Sequence, residues 1–127
     1  MKDPPAPPMK FRDLCDLTGD ELTKVLAALS NPHRLRVVAA LTRERDYVSR
    51  LARELRMSRA LLQVHLRKLE SAGLVTSAVE VSEDGKAMKY YEVVPFTLHL
   101  TPLSITALAE TITVPTDDEA APAKEER

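Results

Sequence analysis

The sequence predicts a mainly α-helical domain with a small β-hairpin, its elements running α-α-α-α-β-β-α. Three observations carry this prediction. Apolar residues recur at helical spacing in four successive segments between Thr18 and Ala72. The period then drops to two, with Val75, Val79 and Val81 alternating and a run rich in aromatic and β-branched residues following. After Thr101-Pro102 the helical period returns.

Each helix has a start signal. Thr18-Gly19-Asp20-Glu21 is a capping box, in which hydroxyl and carboxylate each take a backbone N–H of the first turn. It opens a helix to about Leu29, with Leu22, Val25, Leu26 and Leu29 on one face. Asn31-Pro32 is an N-cap followed by a proline at the first helical position, and starts a helix to about Arg43. Leu35, Val38, Ala39 and Leu41 or Thr42 are expected to face inward there. The third helix, about Val48 to Arg56, carries Leu51, Ala52 and Leu55 on one face. Arg56-Met57-Ser58 forms a tight corner, with Ser58 as the next N-cap. The fourth helix runs from Arg59 to about Ala72. Leu62, Leu66 and Leu69 form its buried stripe, with Leu61 and His65 beside them. Gly73 stands where a left-handed stop is wanted.

Leu74 to Val81 and Met88 to Val94 are the two strands, joined by Glu83-Asp84-Gly85-Lys86, in which Gly85 can take a positive φ. Tyr91, Val93 and Lys89 share one face of the second strand; Tyr90 and Glu92 share the other. Pro95 ends it. Phe96 to Leu100 alternates, and a last helix runs from Thr101-Pro102 to about Thr111, with Leu103, Ile105, Leu108 and Ile112 apolar. Phe11 to Leu17 admits a turn of helix packed on the core. The organisation is therefore a Pro-rich segment, 1–10, expected to be disordered; one folded domain, 11–113; and an acidic Pro- and Ala-rich tail, 114–127, also expected to be disordered.

A chain of 127 residues builds one core of moderate size. No apolar run approaches the roughly 20 residues of a membrane span, and Met1 to Lys10 has no hydrophobic segment of the kind a secretory signal needs. A single cysteine, Cys15, excludes an internal disulfide. Together these point to a cytoplasmic protein. The net charge of −1 hides an asymmetry: residues 31–73 hold ten Lys and Arg against four acids, or +6, leaving 8 − 15 = −7 elsewhere. Nine of those ten cations are arginines, whose forked guanidinium suits phosphate.

The outer face of the fourth helix carries Arg59, Ala60, Gln63, Val64, Arg67 and Lys68. A helix fits the major groove of B-DNA, where Arg forks onto guanine and Gln onto adenine. Two helices joined by a short corner, the second presenting such a face, form a helix-turn-helix, and the hairpin directly after it is a wing. The expected base readers are Arg59, Ala60, Gln63 and Val64, with Arg67 reaching a base or a phosphate. Ser58, Lys68, Arg50, Arg53, Arg34, Lys86 and Lys89 are the expected phosphate anchors. Glu83 and Asp84 would be repelled at the tip of the wing, so contact there is weaker. The bland alternative is a solvated face on an ordinary helical hairpin.

The stretches LSNPHRLRVVAAL, LARELRMSRALLQVHLRKLESAGLV and EDGKAMKYYEV together resemble the ArsR-type (ArsR/SmtB) winged helix-turn-helix transcription repressors, over about Thr18 to Leu108. The matching features are Asn31-Pro32-x-Arg34, the His65-Leu66-x-x-Leu69 run closing on Ala72-Gly73-Leu74-Val75, and Tyr90-Tyr91. The resemblance implies a homodimer, built from the first and last helices, on a palindromic operator of double-stranded DNA. Leu22, Val25, Leu26 and Leu29, with Leu103, Ile105 and Leu108, would supply the interface. The recognition helices of a two-fold dimer sit roughly 34 Å apart on the duplex.

Many proteins of this kind carry a Cys-x-Cys metal site on the third helix. Tyr47 and Ser49 stand at those positions here, and Arg50 replaces the following acid. A second metal site on the last helix finds only His99 and Glu110, too few ligands for zinc. No metal and no cofactor are therefore expected. His65 is expected to pack and hydrogen-bond locally, His33 to lie at a helix N-terminus near the basic face, and His99 to be exposed. No nucleophile motif, acid pair or phosphate-binding loop is present, so no enzyme is expected. Two rival readings keep the fold: a winged-helix protein–protein module, and a regulator answering to an unknown small-molecule effector or to oxidation of Cys15.

Overall fold

The computed structural model describes Arg12–Asp13 and residues 17–113. The expectations for the two terminal segments and for Cys15 lie outside these residues. Five helices and a small sheet follow the predicted order. Helix α1 is Gly19–Leu29, α2 Pro32–Arg43, α3 Val48–Leu55, α4 Arg59–Ser71 and α5 Pro102–Ala109.

The caps form as read from the sequence. Thr18 N–H donates to Glu21 Oε1 at 2.9 Å and Glu21 N–H to Thr18 Oγ1 at 3.1 Å. Asn31 Oδ1 accepts from His33 and Arg34. Ser58 Oγ accepts from Leu61 N–H at 3.0 Å. Gly73 has φ +80°, and Leu74 N–H closes back on Leu69 O at 3.0 Å, the left-handed stop expected there. The helix-turn-helix corner is less orthodox: Arg56, not a glycine, takes φ +58°.

The strands are β1 (Arg12–Asp13), β2 (Asp46–Tyr47), β3 (Val75–Val81), β4 (Ala87–Val93) and β5 (Phe96–Thr97). The hairpin β3–β4 is antiparallel, in register from Val75 opposite Val93 to Val81 opposite Ala87. Gly85 takes φ +86° in its turn. Strand β2 adds to the other edge of β4, Asp46 opposite Tyr91 and Tyr47 opposite Tyr90. Strands β1 and β5 pair in parallel, Arg12 opposite Phe96. Sequence reading missed β1 and β2, since two residues are too few to show a period. Phe11 to Leu17, read as admitting helix, includes β1 at Arg12–Asp13.

The core gathers around α4. Leu62, Leu66, Leu69, Leu74 and Val37 are fully buried, and Leu51, Val25 and Val75 almost so. Helix α2 corrects one expectation. Its inward face is Val37, Ala40 and Leu41, whereas Leu35 and Ala39 are exposed. The helix is apolar at six of the seven positions from Leu35 to Leu41, so two stripes share the same spacing and periodicity alone cannot choose. Half-buried Arg34 lies on the same face as Val37 and Leu41, and its guanidinium reaches the end of α1 and His65.

Helix α5 packs against the start of α1. Thr111 Oγ1 accepts from Gly19 N–H at 2.5 Å, and Asp20 Oδ1 accepts from Thr113 N–H at 2.9 Å. A Cβ on Gly19 would lie 2.3 Å from Leu108 O and 2.5 Å from Ile112 Cγ1. Gly19→Ala is expected to cost about 1–3 kcal/mol in denaturant unfolding, because one partner is rigid backbone. Wild-type stability in that variant would mean α5 rides loosely on α1.

Candidate nucleic-acid interface

Helix α4 divides along its length. The side carrying Leu62, Leu66 and Leu69 is wholly buried, with His65 at 5% exposure beside it. The opposite side leaves Arg59, Ala60, Val64, Arg67 and Lys68 exposed and Gln63 half-buried. The expected base readers therefore stand together on one solvent-facing surface. Ser58 caps the helix with one lone pair of its hydroxyl and keeps its proton to donate.

The expected phosphate anchors fall into two groups. Arg53, Lys68, Lys86 and Lys89 are exposed and make no ion pair among the described residues. Lys89 lies with Nζ 5.4 Å from the centroid of the Tyr91 ring. Arg50 and Arg34 are already engaged. Arg50 pairs with Asp46 at 3.3 Å and Glu44 at 3.2 Å, and its guanidinium lies 5.8 Å from the Tyr47 ring. Its pKa is raised, first by Asp46. Arg34 is the clearer correction, since its guanidinium is engaged by three partners within the protein. Its NH1 donates to the carbonyls of Ala27 at 3.2 Å and Ala28 at 3.4 Å, and its Nε donates to His65 Nδ1 at 3.2 Å. The physical reason lies in α1, whose last turn has no basic residue for its unsatisfied carbonyls.

The wing is held against the chain beside β2 by a cluster that sequence reading did not assemble. Arg45 forms an ion pair with Glu80 across to β3, NH2 to Oε1 at 2.9 Å, and its guanidinium stacks 4.5 Å from the centroid of Tyr90. The hydrogen bond from Arg45 holds Glu80 below the usual carboxylate range. Tyr47 and Tyr90 meet edge to face at 5.6 Å. Tyr91, on the opposite face of the strand from Tyr90, is buried. At the tip, Asp84 accepts from Ser82 Oγ and from Lys86 N–H, which lowers its pKa and keeps a negative charge there.

The interface residues expected on α1 and α5 also separate. Leu22 and Val25 are 6% and 1% exposed inside the chain's own core, so they are not free to meet a partner. Leu26, Leu103 and Ile105 are exposed, Leu103 at 81%, with Leu29 and Leu108 half-buried. Helix α5 has no charged residue and buries none of its side chains. Among the described residues, no three His, Cys, Asp or Glu side chains come together as metal ligands would, and no helix is long and apolar enough to cross a membrane.

A model of the helix-turn-helix domain matches residues 29–78, which cover the end of α1, α2, the helix-turn-helix pair and the start of the wing. The HTH-type transcriptional regulator MJ0229 of Methanocaldococcus jannaschii, itself uncharacterized, is 36% identical over 80 residues, 63% of this chain and 83% of that protein. Among solved structures, the Mycobacterium bovis protein Mb0332 is similar at a TM-score of 0.53 and 21% identity, covering 85% of this chain and 89% of that fragment. It is described as a homodimeric winged helix-turn-helix DNA-binding domain of a possible ArsR-family regulator. HlyU of Vibrio cholerae superimposes at a TM-score of 0.51 with 21% identity, over 72% of this chain and 87% of its own. With a relative this similar covered over most of its length, the chain belongs to the family of HTH-type transcriptional regulators, and its fold is the winged helix-turn-helix of the solved structures it resembles.

Proposed function

We propose that this regulator is a repressor that binds a palindromic operator as a homodimer, in the cytoplasm, without catalytic activity. The observation that carries the DNA reading is the two-sided burial of α4. One face is wholly inside the core, and the other holds Arg59, Ala60, Gln63, Val64, Arg67 and Lys68 out to solvent. A rigid helix of 13 residues anchored by three leucines is a stiff probe for a major groove. Arg59 and Gln63 lie one turn apart, within reach of neighbouring base pairs. Phosphates are held by Ser58, Arg53, Lys68, Lys86 and Lys89, while Arg34 and Arg50 act within the protein. Leu26, Leu29, Leu103, Ile105 and Leu108 form the subunit contact, and the domain proper is residues 11–113.

The test is selection of duplexes from a random-sequence pool by the purified protein, followed by Gln63→Ala. Removing the amide should cost about 1–3 kcal/mol on the enriched duplex and almost nothing on scrambled DNA. Equal weakening on both would exclude Gln63 as a reader. Failure to enrich any sequence would favour the protein–protein module.

A further inference from the structure

The Arg34 guanidinium joins three helices. It caps the end of α1 through Ala27 and Ala28, belongs to the first turn of α2, and donates through Nε to His65 Nδ1 on α4. Because Nε–H is the donor, Nδ1 is bare and the imidazole proton sits on Nε2. That Nε2 is buried and meets no hydrogen-bond partner among the described residues. An orphaned buried donor costs stability. A leucine would avoid that cost and extend the stripe of Leu62, Leu66 and Leu69. The imidazole brings to this place an acceptor for Arg34.

We propose that the Arg34–His65 contact is a proton-sensitive clamp holding the recognition helix α4 to the α1–α2 scaffold, with His65 as a positioning residue for DNA binding. This rests on α4 being the DNA-reading helix. A proton on Nδ1 sets N–H against N–H and imidazolium against guanidinium, so the contact opens. The charged and titratable groups that act on His65 are Arg34 and His33, both from α2, the His33 ring lying 5.7 Å away. Helix α1 adds the Ala27 and Ala28 carbonyls that hold Arg34, and among the described residues no charged group of α1, α3 or β3 acts on His65. Burial first, then Arg34 and His33, pushes the His65 pKa below 6.5. The clamped state thus binds the proton less readily than the released state, and acidification below pH 6.5 favours release. The sign is distinctive. Added positive charge by itself would strengthen attraction to DNA, the opposite of the loss the clamp predicts.

The experiment has two independent readouts on the full chain. Long-range proton–nitrogen spectra of the His65 ring should give the Nε2–H tautomer at neutral pH, with no DNA present. Fluorescence anisotropy then follows a labelled duplex enriched by the wild-type protein from a random pool. Its Kd should rise about fivefold between about pH 7.5 and about pH 5.5, within the limit of about tenfold per unit that one proton allows. His65→Asn offers Oδ1 in place of Nδ1 and cannot titrate, so its Kd should not rise. His33→Asn should keep the acid loss. A ring protonated at Nδ1, a wild-type affinity that improves with acid, or a His65→Asn variant that shares the loss would each overturn the clamp while leaving α4 as the reader. A pool from which nothing is enriched would overturn the DNA reading and, with it, the role of the clamp.

Discussion

Leu103→Glu is expected to leave the fold intact, convert the protein to a monomer, and lower affinity for the enriched duplex by more than about a hundredfold, the usual scale of lost bivalency. The argument begins with the helix itself. Eight residues are too few to hold a helix on their own in water, and α5 contributes none of its side chains to the core. It is held to α1 by Gly19, Asp20 and Thr111, with Leu103 and Ile105 left in solvent. Leu26 extends that surface, lying two turns along α1 on the same stripe as Gly19. A second copy would bury this surface, and two-fold dimers are the commonest solution for such a patch. Because Leu103 is 81% exposed, a charge there costs the monomer little. Sedimentation velocity reads the mass and circular dichroism the fold. A Leu103→Glu protein that remained a dimer would move the interface elsewhere.

Most of the architecture was legible because it is local. The Thr18–Glu21 capping box, the Asn31-Pro32 start, Gly73 and the three-leucine stripe of α4 are written within a few residues of where they act. The solvent face of α4 follows from that stripe, so the exposure of the side chains expected to read bases was legible too. What was not legible is non-local or degenerate. The two apolar stripes of α2 are equivalent by spacing, and only packing against α4 and β4 separates them. The contact of Arg34 with His65, separated by 31 positions, turns an expected phosphate anchor into an internal support. Leu22 and Val25 were placed at a subunit boundary because an apolar face carries no mark of which apolar surface it will meet. The cluster of Arg45, Glu80, Tyr47 and Tyr90 needs β2 to be paired with β4, and a two-residue strand leaves no pattern to read.

Affinity for the enriched duplex should fall about a thousandfold between about 50 and about 200 mM salt, as expected when six or more phosphates are neutralised. A net charge of −1 would suggest otherwise, but charge acts where it sits. Arg53, Lys68, Lys86 and Lys89 remain free of ion pairs among the described residues, and a dimer doubles them. The acids that neutralise the total are concentrated outside residues 31–73. Variants then separate the two kinds of cation. Lys68→Ala should reduce the salt slope by about one for each protomer, the signature of a lost phosphate contact. Arg34→Met should weaken binding at every salt concentration and leave the slope unchanged, because its guanidinium is spent on Ala27, Ala28 and His65. If Arg34→Met flattened the slope as Lys68→Ala does, the inward-turned guanidinium would have to swing out on DNA, and α4 would be held by packing alone.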